Sequence, residues 1–329
     1  MISSEAFDVV VTPVQRELAD RGIETIRLEL ASAERTLPDV LPDAEIVYCP
    51  GAFPFGSREL DLAPRLRALV SIYTGTEGFD ESAASARAVL VANGQVAENC
   101  VSMAEAAILL MLAAVYDLEG AQRAMAPSRG RRRRPATLLR GKAIGLIGYG
   151  QIGRAIAERL EHGWGVQFLI ATPRPNPPFP RGAKIVPLDT LVEEADIICL
   201  VAPLKPDTVN LLSRERLART KRGSVLVNIS RGRLIDEEAL FDLADGGHFS
   251  AIALDVFATE PLPPDSKLRS LPNAILTPHS LGHTRDSARA LIKSGVENIS
   301  AALAGTTPQY LRNPETLPQW LERWSRDAR

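Results

Sequence analysis

A glycine-rich turn in the middle of the chain has the residue types that bind a phosphate group. The segment Gly148–Gly153 carries the pattern G-x-G-x-x-G between a short apolar run and an amphipathic run. Gly148 permits a tight turn, Gly150 lets the backbone approach a pyrophosphate, and Gly153 lets helix and strand pack closely. The N–H groups that open the following helix would then bind the pyrophosphate. In this context the pattern predicts a dinucleotide site rather than a bare turn.

The end of the next predicted strand indicates which dinucleotide is bound. An acidic residue about 20 positions after the turn normally accepts hydrogen bonds from the adenosine ribose. Here the strand Val166–Ala171 is followed by Thr172, and Arg174 comes two residues later. A carboxylate would repel a 2′-phosphate, whereas a guanidinium binds one with two hydrogen bonds. The pattern favours NADP(H), with NAD(H) possible; in the alternative, Arg174 points into solvent and Thr172 makes one weak ribose contact.

Four charged or titratable residues follow three later apolar runs. Arg231 comes after the first run, Asp255 and Glu260 after the second, and His279 after the third. Because ligands bind at the carboxyl ends of parallel strands, we expect these residues at one edge of a sheet. Taken singly, each has another interpretation. Arg231 could be a cap or surface residue, Glu260 a solvated loop carboxylate, and His279 a hydrogen-bonded turn residue.

In their order and spacing, the glycine turn and these clusters resemble the D-2-hydroxyacid dehydrogenase family. The resemblance runs from Leu66–Asp80 through Asn99 and Pro203 to Asn313. It implies an α/β fold of two Rossmann-like, flavodoxin-like lobes, with a nucleotide-binding domain inserted into a split substrate domain. It also implies hydride transfer between NAD(P)H and a small 2-oxo or 2-hydroxy acid.

Within that family, an NADPH-preferring reductase of the glyoxylate/hydroxypyruvate type is the favoured interpretation. Phosphoglycerate dehydrogenase, or another D-2-hydroxyacid dehydrogenase, is the alternative within the enzymes. A non-catalytic, nucleotide-sensing protein like the corepressor relatives of this fold is the alternative from another class. Such a protein can retain all of the motifs, so only turnover distinguishes it from an enzyme.

The resemblance implies a role for each of the four residues. Hydride transfer to a 2-oxo acid leaves negative charge on the carbonyl oxygen, and an imidazole can supply the proton. By resemblance His279 is that acid/base, Glu260 orients it, and Arg231 binds the substrate carboxylate and carbonyl. A planar guanidinium suits such two-oxygen recognition. Asp255 would accept a hydrogen bond from the nicotinamide amide.

The resemblance also implies a wider set of binding residues. Those for the cofactor occupy the turn and the strand ends: Gly148, Tyr149, Gly150, Gln151, Ile152, Gly153, Thr172, Arg174, Ala202, Pro203, Thr208, Ile229, Ser230, Asp255 and Gly282. Those for the substrate are Glu77, Gly78, Arg231, His279 and His283.

Glu77 departs from the family pattern, because a carboxylate beside an anionic substrate is unfavourable. Either its side chain points away while the backbone N–H groups bind, which we favour, or the substrate carries a cationic or hydroxylated part.

The elements that must position these residues alternate along the chain. Short β-branched runs separated by helical patterns indicate βαβ units and a largely parallel sheet. The pattern predicts strands at Asp8–Thr12 and Ala143–Ile147, and one long helix from about Val101 to Met125. We expect a substrate domain in residues 1–100, a Rossmann domain in 101–285, and a return to the substrate domain in 286–329.

Composition excludes several classes of function. The 329 residues carry a formal net charge of −2, which gives no general attraction to nucleic acid or to an anionic membrane. The longest uncharged apolar run, Ala106–Val115, is far shorter than the roughly 20 residues of a membrane span. The three cysteines have no metal-ligand spacing and are expected to be buried, reduced thiols. We therefore expect a cytoplasmic protein without a metal, and the resemblance to the dehydrogenase family implies a homodimer.

The run Arg129–Arg134 contains five arginines and one glycine. It could be a nucleic-acid or localisation patch, or a solvated loop that reaches toward a partner subunit. The near-neutral total charge favours the second interpretation.

Overall fold

The protein folds into two compact units. The computed structural model describes residues 1–125 and 134–324. Unit 1 comprises Met1–Asn99 with His283–Arg329, and unit 2 comprises Cys100–Gly282. The sequence placed the breaks after residues 100 and 285. That unit 1 binds substrate and unit 2 binds cofactor remains a prediction.

Among the described residues there are twelve strands and twelve α-helices. The strands are β1 (Ile2–Ser3), β2 (Leu28–Glu29), β3 (Ile46–Cys49), β4 (Ala68–Ser71), β5 (Leu90–Ala92), β6 (Ala143–Ile147), β7 (Gln167–Ala171), β8 (Lys184–Ile185), β9 (Ile197–Leu200), β10 (Val225–Asn228), β11 (Ala251–Leu254) and β12 (Ala274–Leu276). The helices are α1 (Asp8–Asp20), α2 (Ala33–Val40), α3 (Ser57–Asp61), α4 (Glu81–Ala86), α5 (Ala97–Val115), α6 (Leu118–Ala124), α7 (Gln151–Glu161), α8 (Leu188–Glu194), α9 (Arg214–Ala218), α10 (Glu237–Asp245), α11 (Arg285–Leu303) and α12 (Leu317–Trp324).

Unit 2 is built on a seven-stranded parallel sheet in the order β12-β11-β10-β9-β6-β7-β8. Its strands read as continuous apolar runs because helices cover both faces. Two separate clusters of buried residues pack against the sheet. The strand order reverses between β6 and β9, which makes that point the switch where doubly wound sheets bind ligands. The predicted α/β class and Rossmann topology are confirmed.

Unit 1 is built from both ends of the chain. Strands β3, β4 and β5 form a parallel sheet, and β1 pairs with β2. Asn313, which is 1% exposed, accepts a hydrogen bond from the N–H of Val91 at 2.8 Å and donates to the carbonyl of Val89 at 3.0 Å. The buried Trp320 donates from Nε1 to the carbonyl of Arg67 at 2.9 Å. These bonds tie the C-terminal segment to the strands of the N-terminal segment.

Two predicted elements are wrong. The apolar run Asp8–Thr12 is not a strand but the first part of helix α1, which buries Val10, Val11, Val14 and Leu18 against the unit 1 core. The predicted helix from Val101 to Met125 is two helices, α5 and α6. They are separated at Asp117, whose φ of 52° is left-handed and cannot continue a helix.

Helix α5 is the one described helix that is long and apolar enough to cross a membrane. Its most apolar window has a mean hydropathy of 1.6, and 56% of that window is buried within the structure. Core helices of water-soluble folds meet the same criteria. Within unit 2 its residues Ala104, Ala107, Leu110 and Met111 belong to a core cluster. The helix is therefore weak support for a membrane location, and cytoplasmic location remains a prediction.

The three cysteines are free and buried, as the sequence predicted. Burial raises the pKa of the Cys49 and Cys199 thiols to about 12, which disfavours the thiolate. Cys100 donates from Sγ to Oε1 of Gln151 at 3.1 Å within unit 2.

Candidate active site

The glycine turn joins β6 to α7 at the carboxyl edge of the unit 2 sheet. Gly148 has a φ of 98°, and a Cβ there would lie 2.8 Å from the backbone nitrogen of Ala202. A Cβ on Gly150 would meet nothing within 4 Å, so the surface at that position is open. A Cβ on Gly153 would lie 3.1 Å from the carbonyl oxygen of Gly148. The three glycines therefore have the geometry of a turn, an open surface and a packing contact, and their binding of a pyrophosphate stays a prediction.

The start of helix α7 has no side-chain cap. Gly150 occupies the N-cap position, and the first turn contains no acidic residue. The N–H groups of that turn therefore retain their capacity to bind an anion, which the helix dipole also favours. Two other turn residues face other parts of unit 2. Gln151 accepts the bond from Cys100, and Ile152 packs against a core cluster.

Tyr149 is buried and anchors the loop that follows β7. Its hydroxyl donates to the carbonyl of Pro178 at 3.1 Å, and its ring lies 5.0 Å from that of Phe179. Arg154 on α7 lies over the same ring and donates to the carbonyl of Asn176 at 2.8 Å. Sequence reasoning missed Arg154, because its hydrogen bond to Asn176 joins residues 22 positions apart. Together Tyr149 and Arg154 hold the proline-rich loop against the turn.

The two residues that carry the cofactor prediction lie on that loop. Thr172 is half-buried, and its Oγ1 accepts a weak hydrogen bond from the N–H of Arg174 at 3.4 Å. Arg174 is exposed, and its guanidinium makes no hydrogen bond or ion pair with the described residues. The structure brings the two residues together. It leaves the guanidinium without a partner in the part of the chain it describes.

The loop after β9 lies beside the glycine turn. Thr208 Oγ1 accepts from the N–H of Lys205 at 2.7 Å and donates to the carbonyl of Pro203 at 3.0 Å. Its hydroxyl therefore stabilises the loop itself. Ala202 contacts the turn, since its nitrogen lies closest to the missing Cβ of Gly148.

The loop after β10 positions Arg231. Asn228, which is fully buried, accepts from the N–H of Ser230 at 3.0 Å and donates to the carbonyl of Arg231 at 2.9 Å. Arg231 donates from its guanidinium to the carbonyl of Ser230 at 2.7 Å. Ile229 is buried in a core cluster, so its side chain serves packing. Sequence reasoning missed Asn228, although a polar amide at the end of an apolar strand was the available signal.

Asp255 is the anchor of the loop that carries His279. It is 1% exposed, and its Oδ1 accepts from Thr277 Oγ1 at 2.6 Å and from the N–H groups of Ser280 and Leu281 at 3.2 and 3.4 Å. Three donors on one oxygen fix the loop on both sides of His279. The predicted hydrogen bond from a nicotinamide amide would therefore be accepted by the other oxygen of Asp255, Oδ2.

Glu260 and His279 form a hydrogen-bonded pair at the carboxyl edge of the sheet. His279 Nδ1 lies 2.6 Å from Glu260 Oε2. Glu260 Oε1 accepts from the N–H of Phe257 at 3.0 Å, so both carboxylate oxygens are engaged. His279 has a φ of 52°, an uncommon conformation for a residue with a side chain. Because Nδ1 donates to the carboxylate, Nε2 is the nitrogen that can exchange a proton with a bound molecule.

The surroundings of Glu260 favour its charged form. Burial opposes ionisation, but the hydrogen bond and charge of His279, the N–H of Phe257 and the charge of Arg231 outweigh it. The pKa of Glu260 is therefore below its ordinary value of 4.5. An ionised Glu260 holds the imidazole in one orientation and stabilises it once it is protonated.

Unit 1 contains a loop, Tyr73–Gly78, whose carbonyl groups are occupied. The carbonyls of Tyr73, Thr74 and Gly75 accept from the N–H of Gly94 at 2.9 Å, Asn93 Nδ2 at 2.7 Å and Ser71 Oγ at 2.7 Å. The N–H groups of Thr74, Gly75 and Thr76 donate to no group of the described residues. Adjacent free N–H groups form a concave surface that binds anions.

The predicted substrate residues of unit 1 divide into three cases. The N–H of Gly78 donates to the carbonyl of Gly51 at 2.7 Å, so it serves the fold and is not available to a ligand. Glu77 has an exposed side chain. His283 stacks on Tyr73 with ring centroids 4.8 Å apart and an interplanar angle of 8°. A Cβ on Gly282, in unit 2, would collide with the flexible side chain of Met103, which would have to move.

The described residues contain no group of three or more His, Cys, Asp or Glu side chains that could hold a metal ion. Residues 126–133 lie outside the described part of the chain, and the arginine run falls there except for Arg134. Arg134 donates to the carbonyl of Ala114 at 3.2 Å and pairs with Asp117 at 3.3 Å.

Comparison with known proteins gives one family. Residues 108–280 match the family model of the D-isomer specific 2-hydroxyacid dehydrogenase NAD-binding domain. The chain is 34% identical over 270 residues to glyoxylate/hydroxypyruvate reductase B of Yersinia enterocolitica, covering 79% of this chain and 81% of that protein. It is 35% identical over 268 residues to D-3-phosphoglycerate dehydrogenase of Mycobacterium bovis, covering 80% of this chain. It spans only about half of the length of that relative, 50%.

The fold also matches a solved structure along nearly its whole length. This is an NADPH-dependent glyoxylate/hydroxypyruvate reductase from Sinorhizobium meliloti in complex with NADP and malonate, with a TM-score of 0.84 and 28% identity. The match covers 96% of each chain.

Proposed function

The chain belongs to the D-isomer specific 2-hydroxyacid dehydrogenase family, and we propose that it reduces small 2-oxo acids, glyoxylate and hydroxypyruvate foremost, with NADPH. The observation that carries the proposal is the His279–Glu260 pair, with Nδ1 and Oε2 2.6 Å apart. It supplies an oriented acid at a strand end of the cofactor-binding unit. A sensing protein of this fold can keep the same pair, so turnover is the test that separates the two functions.

A bound nicotinamide cofactor supplies the hydride that adds to the carbonyl carbon of the substrate. His279 donates a proton from Nε2 to the carbonyl oxygen as charge develops there. Glu260 stabilises the imidazolium before that transfer and fixes the ring. Arg231 binds the carboxylate and carbonyl oxygens through its planar guanidinium. In the reverse direction His279 accepts the proton.

We assign the substrate carboxylate to the N–H groups of Thr74, Gly75 and Thr76. Hydrogen bonds within the fold occupy the carbonyl groups of their loop, whereas these N–H groups donate to no group of the described residues. Recognition by backbone tolerates different side chains, so Glu77 can project into solvent while its neighbours bind. His283, stacked on Tyr73, would then contact the part of the substrate beyond C2.

The preference for NADPH rests on Thr172 and Arg174. No carboxylate stands at the end of β7 to repel a 2′-phosphate, and the guanidinium of Arg174 has no competing partner among the described residues. The Sinorhizobium meliloti protein, whose fold this chain shares, is described as NADPH-dependent.

We also propose that the protein is a homodimer. Large apolar side chains stand exposed in and directly beside α5 and α6 and just before β6: Leu109, Tyr116, Leu118, Met125 and Leu138. Exposed apolar residues concentrated on one region of a water-soluble protein mark an association surface. A second copy of this chain would cover them, and sedimentation velocity would detect the dimer.

A substrate panel tests the function. Purified protein is mixed with NADPH or NADH and with glyoxylate, hydroxypyruvate or 3-phosphohydroxypyruvate, and cofactor oxidation is followed. The proposal expects the highest kcat/KM with NADPH and one of the first two acids. Absence of turnover on all three, with NADPH still bound, would contradict it and favour a nucleotide sensor.

The 35% identity to D-3-phosphoglycerate dehydrogenase supports a second candidate function. That activity would require a further cationic group for the phosphate of the substrate. Preference for 3-phosphohydroxypyruvate in the same panel would select it.

A further inference from the structure

A cavity of about 190 Å³ lies within unit 2 at the amino edge of the sheet, opposite the strand ends of the candidate active site. Its lining includes the residues that precede four neighbouring strands: Lys142 before β6, Asp196 before β9, Ser224 before β10 and Ser250 before β11. A single water takes up roughly 30 Å³ of liquid, so the cavity has room for a small molecule. No step of the proposed reaction uses it.

The lining is strongly basic. Arg134, Lys142, Lys221 and Arg222 carry four positive charges against the one negative charge of Asp196. Lys221 Nζ lies 3.0 Å from Asp196 Oδ1, which neutralises that pair.

The other cations of the lining differ in their partners. Arg134 is committed to Asp117 and to the carbonyls of Ala114 and Ser250. Lys142 and Arg222 form no ion pair within residues 1–125 and 134–324, although the charge of Lys142 also acts on Asp196 and favours its carboxylate. Two cations are therefore available to a ligand.

A buried hydroxyl adds a second, independent observation. Ser224 is 2% exposed, and its Oγ has no hydrogen-bond partner among the described residues. Its backbone is fixed, because its N–H donates to the backbone carbonyl of Lys221 at 3.0 Å and its carbonyl accepts from the N–H of Ser250 at 2.9 Å. A buried polar atom without a partner is costly, and native structures contain few of them. Ser224 lines the cavity, and rotation of its side chain about χ1 would let an acceptor there satisfy this hydroxyl.

We propose that this cavity is a second ligand site, which binds a phosphoryl group. Such a group carries a charge close to −2 and three strong acceptor oxygens. The ammonium of Lys142, the guanidinium of Arg222 and the hydroxyl of Ser224 supply three donors of matching chemistry. The ligand is either free inorganic phosphate or a small phosphate monoester. The inference is independent of the proposed function, because it uses no residue of the candidate active site.

Isothermal titration of the full chain, saturated with NADPH so that the dinucleotide turn is occupied, tests the proposal. Inorganic phosphate and glycerol 3-phosphate are the two probes. Saturable binding of either one, with a Kd on the order of 1 mM or below, supports the site, and the tighter probe identifies the source of the phosphoryl group. Absence of saturable binding of both overturns it.

Variants locate the binding. Arg222→Ala should weaken the Kd roughly tenfold, the effect of one charge-assisted hydrogen bond. Ser224→Ala should also weaken it, while the Tm without phosphate stays the same or rises because the unpartnered hydroxyl is gone. Lys184→Ala, which removes an exposed cation on β8 outside the cavity, should leave the Kd unchanged. Equal weakening in Lys184→Ala and Arg222→Ala would overturn the proposal, because binding would then follow net charge alone.

Discussion

Two loops of unit 2 differ in how firmly the fold holds their functional side chains. The loop after β12 is fixed by three hydrogen bonds to Asp255, and its His279 is fixed again by Glu260. The loop after β7 is anchored through Tyr149 and Arg154, yet the side chain of Arg174 makes no hydrogen bond or ion pair with the described residues. Proton transfer requires an acid such as His279 that is already positioned when the substrate binds. Discrimination between cofactors requires only a side chain such as Arg174 that can move to bind the cofactor once it is present.

The comparison is tested first by removing the side chain that the fold holds in place, the imidazole of His279. We expect His279→Ala to lower kcat by about 10²- to 10⁴-fold, the usual worth of a positioned acid. The Kd of NADPH, measured by fluorescence titration, should stay within about twofold, because the imidazole acts on the substrate oxygen. His162→Ala is the control, since the side chain of His162 is 86% exposed. Near-wild-type kcat in His279→Ala would remove the histidine from the mechanism.

Arg231→Lys tests the second fixed group. An ammonium keeps the charge but cannot reproduce a planar fork, so kcat/KM for the 2-oxo acid should fall by about ten- to a hundredfold. The neighbouring Arg233→Lys, at an exposed position, is the matched control. If both variants behave alike in steady-state assays, Arg231 is a surface residue.

The unfixed group should affect discrimination more than rate. A charge-assisted contact contributes about 1.5–3 kcal/mol, so NADPH should be preferred over NADH by about tenfold or more in kcat/KM. Arg174→Ala should erase most of that preference, and Thr172→Asp should reverse it by pairing with the ribose hydroxyls. Arg181→Ala, farther along the same loop, should change nothing. Equal use of both cofactors by the wild type would show that Arg174 is a solvated residue.

The smallest effect concerns stability and pH. Since the folded protein lowers the pKa of Glu260 below 4.5, folding favours the carboxylate. The stabilisation is complete above pH 4.5 and is lost as the pH falls through the lower, folded-state pKa. The Tm of the wild type should therefore exceed that of Glu260→Gln near neutral pH, and the difference should shrink in acid. Thermal unfolding across this range checks the sign; a difference that grows in acid would contradict it.

The strands of unit 2 could largely be predicted from the sequence, and the reason is physical. These strands are buried on both faces and appear as apolar runs bounded by turn residues, so β6 has the predicted bounds. The elements of unit 1 were predicted less well. The valines of Asp8–Thr12 have the composition of a strand, but their burial against the unit 1 core follows the spacing of a helix.

The positioning residues could not be predicted, because their partners are distant in sequence or belong to the backbone. Asp117 interrupts the long helix through its left-handed φ and its pairing with Arg134, seventeen positions away. The amide of Asn228 at a strand end was a visible signal, but Asn228 and Arg154 act on carbonyl and N–H groups, so the sequence does not show what they bind. The reacting groups, in contrast, are particular side chains at strand ends, and their types are visible in the sequence.

Transfer of deuterium tests the central claim most directly. The protein is incubated with hydroxypyruvate and NADPH that carries deuterium at both C4 positions, and the product is analysed by mass spectrometry and chiral chromatography. We predict D-glycerate with one deuterium at C2. Glycerate without deuterium, the L isomer, or no product from any 2-oxo acid would contradict the assignment of this chain as a hydride-transferring D-2-hydroxyacid dehydrogenase.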